Sequence, residues 1–210
     1  MQTFSALLAV GALVGSVVLA AGLVSRPEDG SGLADVVLLA RSSAARFVLL
    51  LAGVSMLGSL YFSEMAHYAP CKLCWYQRIC MYSIAVLALV AVVRRESAAR
   101  VRVLAPYVLT LSLLGLCIST YHYLLEWFPQ LESNVCSIDV PCTTVWFRKL
   151  GFVTLPGMAW AAFLGVALVM IAVLRAPAHE AIESSGEGGT SGAVDVTHPQ
   201  SGTTPNTEGA

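Results

Sequence analysis

Charge is what this sequence has least of. Charged residues make up 12% of the 210 and hydrophobic residues 57%. A soluble domain carries about twice that charged fraction. The few charges cluster, and long stretches carry none, a pattern that excludes an ordinary soluble core. No Walker, Rossmann or zinc-protease motif is present, and no internal repeat is visible. Twelve basic against thirteen acidic residues leave no electrostatic footprint for nucleic acid, and none is expected as a partner. The expected partner surface is a lipid bilayer.

What remains is apolar and helical in length. Spanning a bilayer takes roughly 20 apolar residues as helix, and five segments qualify: Met1 to about Val24, about Ala44 to Phe62, about Leu73 to Val93, Val103 to Leu125, and about Gly157 to Leu174. The predicted fold class is an all-α membrane protein: a four-helix transmembrane bundle over 44–175, with one additional N-terminal transmembrane helix and a cytoplasmic loop over 1–43. The tail at 176–210 is rich in Gly, Ser, Thr, Pro and Glu. It has too little apolar surface to offset its ordering entropy and is read as disordered.

Lysine and arginine set the orientation. One set of loops carries the eight residues Arg26, Arg41, Arg46, Arg94, Arg95, Arg100, Arg102 and Arg175, the other the four residues Lys72, Arg78, Arg148 and Lys149. The eight are expected on the cytoplasmic side, with the tail. The cysteine pairs at 71/74 and 136/142 then lie outside. Trp75, Trp127, Trp146 and Trp160 fall near the outer ends of spans, as an interfacial belt would. A cleaved signal peptide competes for the first segment. That segment lacks a basic start and a small-x-small cleavage site, so a retained helix is expected.

Of six cysteines, four form two close pairs on the expected oxidising side, where disulfides persist. Pro70-Cys71-Lys72-Leu73-Cys74 opens the third span. Proline favours a helix start. A cysteine at a helix N-terminus meets the positive dipole end and free N–H groups, which stabilise the nucleophilic thiolate. A static disulfide or half of a zinc site is the competing reading.

Arg78 stands out. Only 15 residues separate it from Arg94, which as helix is roughly 22 Å, short of the roughly 30 Å hydrocarbon core. It therefore sits about one turn below the outer surface, where an ionisable side chain is a functional candidate. It also follows Cys74 by four residues and shares its helix face. It is placed to stabilise a Cys74 thiolate or a ligand oxyanion, with snorkelling to headgroups as the bland alternative.

Cys136 and Cys142 bracket five residues in the outer loop. An exposed disulfide of this kind is exchange-active or a plain staple. All four cysteines binding one zinc is a further reading, opposed by the oxidising side, the wide second spacing and Arg78. No metal is expected. Cys80 and Cys117 read as small apolar core residues. His122, between Tyr121 and Tyr123, reads as an interfacial histidine, a ligand contact or a proton route; His67 sits near the outer end of the second span. Glu64, Glu126 and Glu132 read as solvated boundary charges, and Met65, Met81 and Met158 as packing residues.

Cys71-x-x-Cys74-x-x-x-Arg78 opening a helix, followed by an outer-loop pair, resembles the DsbB family of disulfide-bond formation proteins. The short Cys136–Cys142 spacing and the stretch Gly151-Phe152-Val153-Thr154-Leu155-Pro156 look like its BdbC branch. The resemblance covers about Phe47 to Leu174. It implies a bacterial inner-membrane thiol:quinone oxidoreductase with Cys71, Cys74, Cys136 and Cys142 catalytic. Its acceptor would be a quinone, ubiquinone or menaquinone, held by Arg78, Cys74 and His122. It further implies a soluble thioredoxin-fold partner of the DsbA or BdbD kind and a mixed disulfide at Cys136. The extra first helix and the tail depart from the family pattern. A vitamin K epoxide reductase-like protein is a second reading, although its Cys-x-x-Cys usually sits in a later helix. A membrane scaffold with static disulfides or zinc is a third; it gives Arg78 no task.

Overall fold

The computed structural model describes residues 2–25, 32–132, 136 and 140–176. Arg26 lies outside them, as does all of the expected tail but Ala176. Six α-helices carry the described chain: α1 (Gln2–Ser25), α2 (Gly32–Ser42), α3 (Ala44–Leu60), α4 (Lys72–Val93), α5 (Ala98–Trp127) and α6 (Leu155–Arg175). Five are long and apolar enough to cross a membrane. They match the five predicted segments to within a few residues at each end. The protein is an all-α, multi-pass membrane protein.

The helix missing from the prediction is α2. Its 11 residues are too few to span, so a search for long apolar runs passes over it. Val37 and Ala40 turn into the core beside Leu19 of α1.

α6 is the central staff. Phe163, Val166 and Ala172 have no exposed surface, and they join Ile84 of α4 and Ala105 of α5 in one core. Close approach of α5 to α6 depends on Gly115, because a β-carbon there would lie 2.2 Å from the Phe163 ring. Such small-residue contacts drive helix association in lipid, where burial from water contributes little between helices.

Arginines gather at one end of the bundle and satisfy helix C-terminal carbonyls. Arg41 donates from Nε to the Ala172 carbonyl at 3.0 Å. Arg102 donates to the carbonyls of Val173, Leu174 and Ala176. Arg175 donates to Leu23 at the end of α1. Carbonyls of a helix's last turn lack a full set of partners within the helix, and cations there also meet the negative dipole end.

The opposite end carries the cysteines. α3 passes into a π-helical turn, Tyr61–Met65, which His67 ends with φ of 56°. π-turns often mark functional sites. Here the turn brings Phe62 parallel to Tyr68, with centroids 5.8 Å apart, and Tyr68 stacks on Trp146 at 4.8 Å. That aromatic stack anchors the loop between α5 and α6. The loop closes with a three-residue hairpin: Lys149 pairs with Val153 across Leu150 (φ 54°), Gly151 (φ 82°) and Phe152. Positive φ favours glycine, which Gly151 supplies at the second loop position. Thr154 then caps α6 through the Gly157 N–H, and Pro156 sits in the first turn. The Gly151–Pro156 stretch is thus a turn-and-cap unit that places the cysteine loop.

Candidate functional site

Cys71 is the N-cap of α4. Its backbone is extended, and its sulfur accepts the Cys74 N–H at 3.4 Å. The helix turn brings the two sulfurs 3.3 Å apart, both as free thiols. Cys136 and Cys142 are joined as a disulfide, with Cα atoms 5.8 Å apart. The four-cysteine zinc arrangement is therefore not the one formed. Cys71, Leu73, Leu125 and Cys142 build one buried apolar cluster, with Cys74 and Cys136 packed against it. All four cysteines of the two pairs thus meet at one place.

Exposure separates the members of each pair. Cys71 and Cys142 are buried, whereas Cys74 and Cys136 are partly open. Cys136 is the more open sulfur of the loop disulfide, and Cys74 lines a cavity.

His122 is 3% exposed. Its Nε2 lies 3.6 Å from the Cys71 sulfur, and its Nδ1 lies 3.0 Å from Nε2 of Gln77. An amide nitrogen only donates, so Nδ1 accepts and the ring proton faces Cys71. The hydrogen bond from Cys74, and then the imidazole, hold the Cys71 thiol well below its ordinary range, against the opposing effect of burial. Gln77 is 7% exposed and was not among the predicted residues. Its signal was present: it follows Cys74 by three residues, on the same helix face.

Arg78 does not donate to Cys74. Nε and Nη2 donate to the hydroxyl and the carbonyl of Ser59, at 2.9 and 3.0 Å, and the guanidinium lies 5.2 Å from the Trp75 ring centroid. Nη1 has no hydrogen bond to a described residue. Ser59 was also not predicted. It fixes the fork from α3, a contact that sequence spacing cannot show.

Glu126 corrects an expectation. It is 8% exposed rather than solvated, and Oε2 has no hydrogen-bond partner among the described residues. Thr154, His122, Arg148 and Cys71 are the groups within its electrostatic reach. Two smaller corrections follow. Cys117 faces outward rather than into the core. Met65 is mostly exposed as well, whereas Met81 and Cys80 are core residues as expected.

A cavity of about 820 Å³ runs between α1, α3, α4 and α6. Cys74, Gln77, Arg78 and His122 line it near the cysteines, and most of the remaining wall is apolar. A polar-headed, largely apolar molecule suits such a space. The same cluster has metal-binding potential: the donor atoms of Cys71, Cys74 and His122 lie within 4.8 Å of one another.

Comparison with known proteins agrees with this arrangement. Residues 41–173, more than half of the chain, match the family described as Disulfide bond formation protein DsbB. A probable disulfide formation protein C of Halalkalibacterium halodurans is 40% identical over 122 residues, covering 58% of this chain and 85% of that one. A probable disulfide formation protein of Oceanobacillus iheyensis is 37% identical over 124 residues, covering 58% and 82%. The disulfide bond formation protein C of Bacillus subtilis is 38% identical over 118 residues, covering 56% and 82%. No solved structure matches the chain. Two cysteine pairs meeting at one end of an apolar bundle and a family match across that bundle lead to one conclusion: the chain belongs to the DsbB family of disulfide bond formation proteins, which are membrane thiol oxidoreductases.

Proposed function

We infer that this chain reoxidises an extracytoplasmic thioredoxin-fold dithiol protein of the DsbA or BdbD kind and passes the electrons to a membrane quinone. The observation that carries this reading is the shared cluster of the two pairs, one oxidised and one reduced. A static staple needs no second pair beside it.

The relay balances as three exchanges. A partner thiolate attacks Cys136, the more open sulfur, and Cys142 leaves as thiolate; the second partner thiol then releases its own disulfide and frees Cys136. The loop dithiol next reduces a Cys71–Cys74 disulfide and is itself reoxidised to Cys136–Cys142. That leaves Cys71 and Cys74 as thiols, the state seen here. Finally these two thiols give two electrons and two protons to a quinone, ubiquinone or menaquinone, which leaves as quinol. Each exchange requires a thiolate and an accessible sulfur.

This chain's residues suit that last step. Cys74 faces the cavity. Arg78, held by Ser59, keeps Nη1 for a ring oxygen, and His122 places its proton beside Cys71. The quinone supplies the two-electron acceptor chemistry; the protein orients and polarises it.

The bacterial inner membrane is the proposed location, with both cysteine pairs outside and the tail in the cytoplasm. The arginine-rich end opposite the cysteines supports this under the positive-inside rule. The family match from residue 41 to 173 supports taking 44–175 as the catalytic core.

The test adds the detergent-solubilised chain to a reduced thioredoxin-fold oxidase and a soluble quinone analogue, and follows quinone absorbance. Loss that requires both Cys74 and Cys136 is expected. Loss that persists in Cys74→Ser would sink the relay.

A further inference from the structure

The family match begins at residue 41, so α1 lies outside it. Yet α1 is built into the bundle. It packs along α6, where a β-carbon at Gly165 would meet Ser16 of α1 at 3.4 Å and Leu51 of α3 at 3.1 Å. It also supplies a wall of the cavity that ends at Cys74.

We propose that α1 closes a corridor for the polyisoprenoid tail of the quinone whose ring is reduced at Cys74. The inference rests on the quinone reading above and assigns a task to a helix that the reading leaves idle.

Extent is the first argument. The cavity wall on α1 runs from Phe4 to Leu19, which as helix is about 22 Å. A quinone ring fills only the end near Cys74, Arg78 and His122. What occupies the rest must be long, apolar and joined to the ring.

Polarity is the second. Along the body of the corridor the serine hydroxyls are turned back on their own helices. Ser16 donates to Ala12 and Ser55 to Leu51, each at 2.7 Å. Their donors are spent, and little there would hold water.

Open space is the third. Gly11 and Gly15 of α1 and Gly58 of α3 all line the cavity, and a β-carbon at any of them would meet nothing within 4 Å. Gly11 and Gly15 are four residues apart, on one helix face. Glycine elsewhere in this fold lets helices touch, as at Gly115; here it leaves room. Val14 and Val17, which do not line the cavity, are mostly exposed, as lipid-facing residues are.

The test uses the full chain in detergent and a polyisoprenoid quinone with a photoactivatable group at the far end of its tail. After irradiation and digestion, label is expected on α1 between Phe4 and Leu19. Excess unlabelled polyisoprenoid quinone should remove it, and excess phospholipid should not. Label absent from α1, or removed by phospholipid, would overturn the proposal, the latter in favour of a lipid chain as occupant.

A paired binding measurement guards against misfolding. Gly11→Phe with Gly15→Phe should weaken binding of the long-tailed quinone by about tenfold or more and leave a tail-less quinone unaffected. Val14→Phe with Val17→Phe should change neither. Equal effects on both quinones, or none on either, would overturn the assignment. Failure of the underlying quinone reading looks different, because the unaltered chain would then bind no tail-less quinone.

Discussion

The sulfur of Cys71 lies 3.6 Å from Nε2 of His122, so a single imidazole joins the N-cap of α4 to the buried face of α5. Gln77 holds the other ring nitrogen at 3.0 Å and thereby directs the ring proton at the sulfur. The thiolate at Cys71 is favoured by this contact and by Cys74.

Removing the imidazole should therefore shift the titration of Cys71. Hydrogen bonds to charged groups contribute about 1.5–3 kcal/mol, and one pKa unit corresponds to about 1.4 kcal/mol. His122→Phe should move the pH midpoint of Cys71 alkylation in the reduced chain upward by about one unit or more. The sign follows from the lowered thiol: the thiolate persists to lower pH in the unaltered chain and is lost earlier in the variant as pH falls. Mass spectrometry of alkylated peptides across a pH series reads the shift. An unchanged profile would remove His122 from the site's electrostatics.

Ser59 should act through Arg78. Ser59→Ala deletes the hydroxyl that accepts from Nε but keeps the carbonyl that accepts from Nη2. With about 1 kcal/mol of positioning lost, the KM for quinone should rise about fivefold, and the KM for the reduced protein partner should not move. Steady-state kinetics with each substrate varied in turn separates the two. A parallel rise in both would indicate general loosening of the bundle.

Gly115→Ala should destabilise the bundle. Its β-carbon would fall within 2.2 Å of the Phe163 ring, which is fully buried. Overpacking of this kind costs about 1–3 kcal/mol. Thermal unfolding in detergent should show the loss, and Phe163→Leu in the same chain should recover much of it. No loss in Gly115→Ala would mean that the α5–α6 contact is looser than described.

Glu126→Gln should be tolerated. The carboxylate is buried with one oxygen unpartnered, and an incompletely partnered buried charge costs stability that a neutral group of the same shape does not. The thermal midpoint should stay or rise. A loss of about 3 kcal/mol or more would identify Glu126 as one half of a buried ion pair, with Arg148 as the other.

Much of this was legible in the sequence, for a physical reason. In lipid the backbone must satisfy itself, so long apolar runs can only be helices, and the five spans follow. The two cysteine pairs and the depth of Arg78 are matters of spacing along one chain, and they too could be read. What could not be read is which polar side chains a neighbouring helix buries. Glu126 read as a boundary charge because it nears the end of its span. Yet Ser112, Ser119, His122 and Glu126 are all buried and recur along α5 at intervals of seven, three and four, a polar stripe at helical spacing. Ser59 gave no such signal; its role exists only because the π-turn end of α3 lies beside Arg78. α2 escaped because it is short.

The most direct test of the account asks whether the two pairs exchange with each other. Cys74→Ala combined with Cys136→Ala leaves Cys71 and Cys142, the two buried sulfurs of the shared cluster. The variant is expressed in its native membrane, trapped with an alkylating agent, digested without reductant and analysed by mass spectrometry. The account predicts a Cys71–Cys142 disulfide as the main species. Two alkylated thiols in a correctly inserted chain would contradict it and would leave the loop disulfide as a staple.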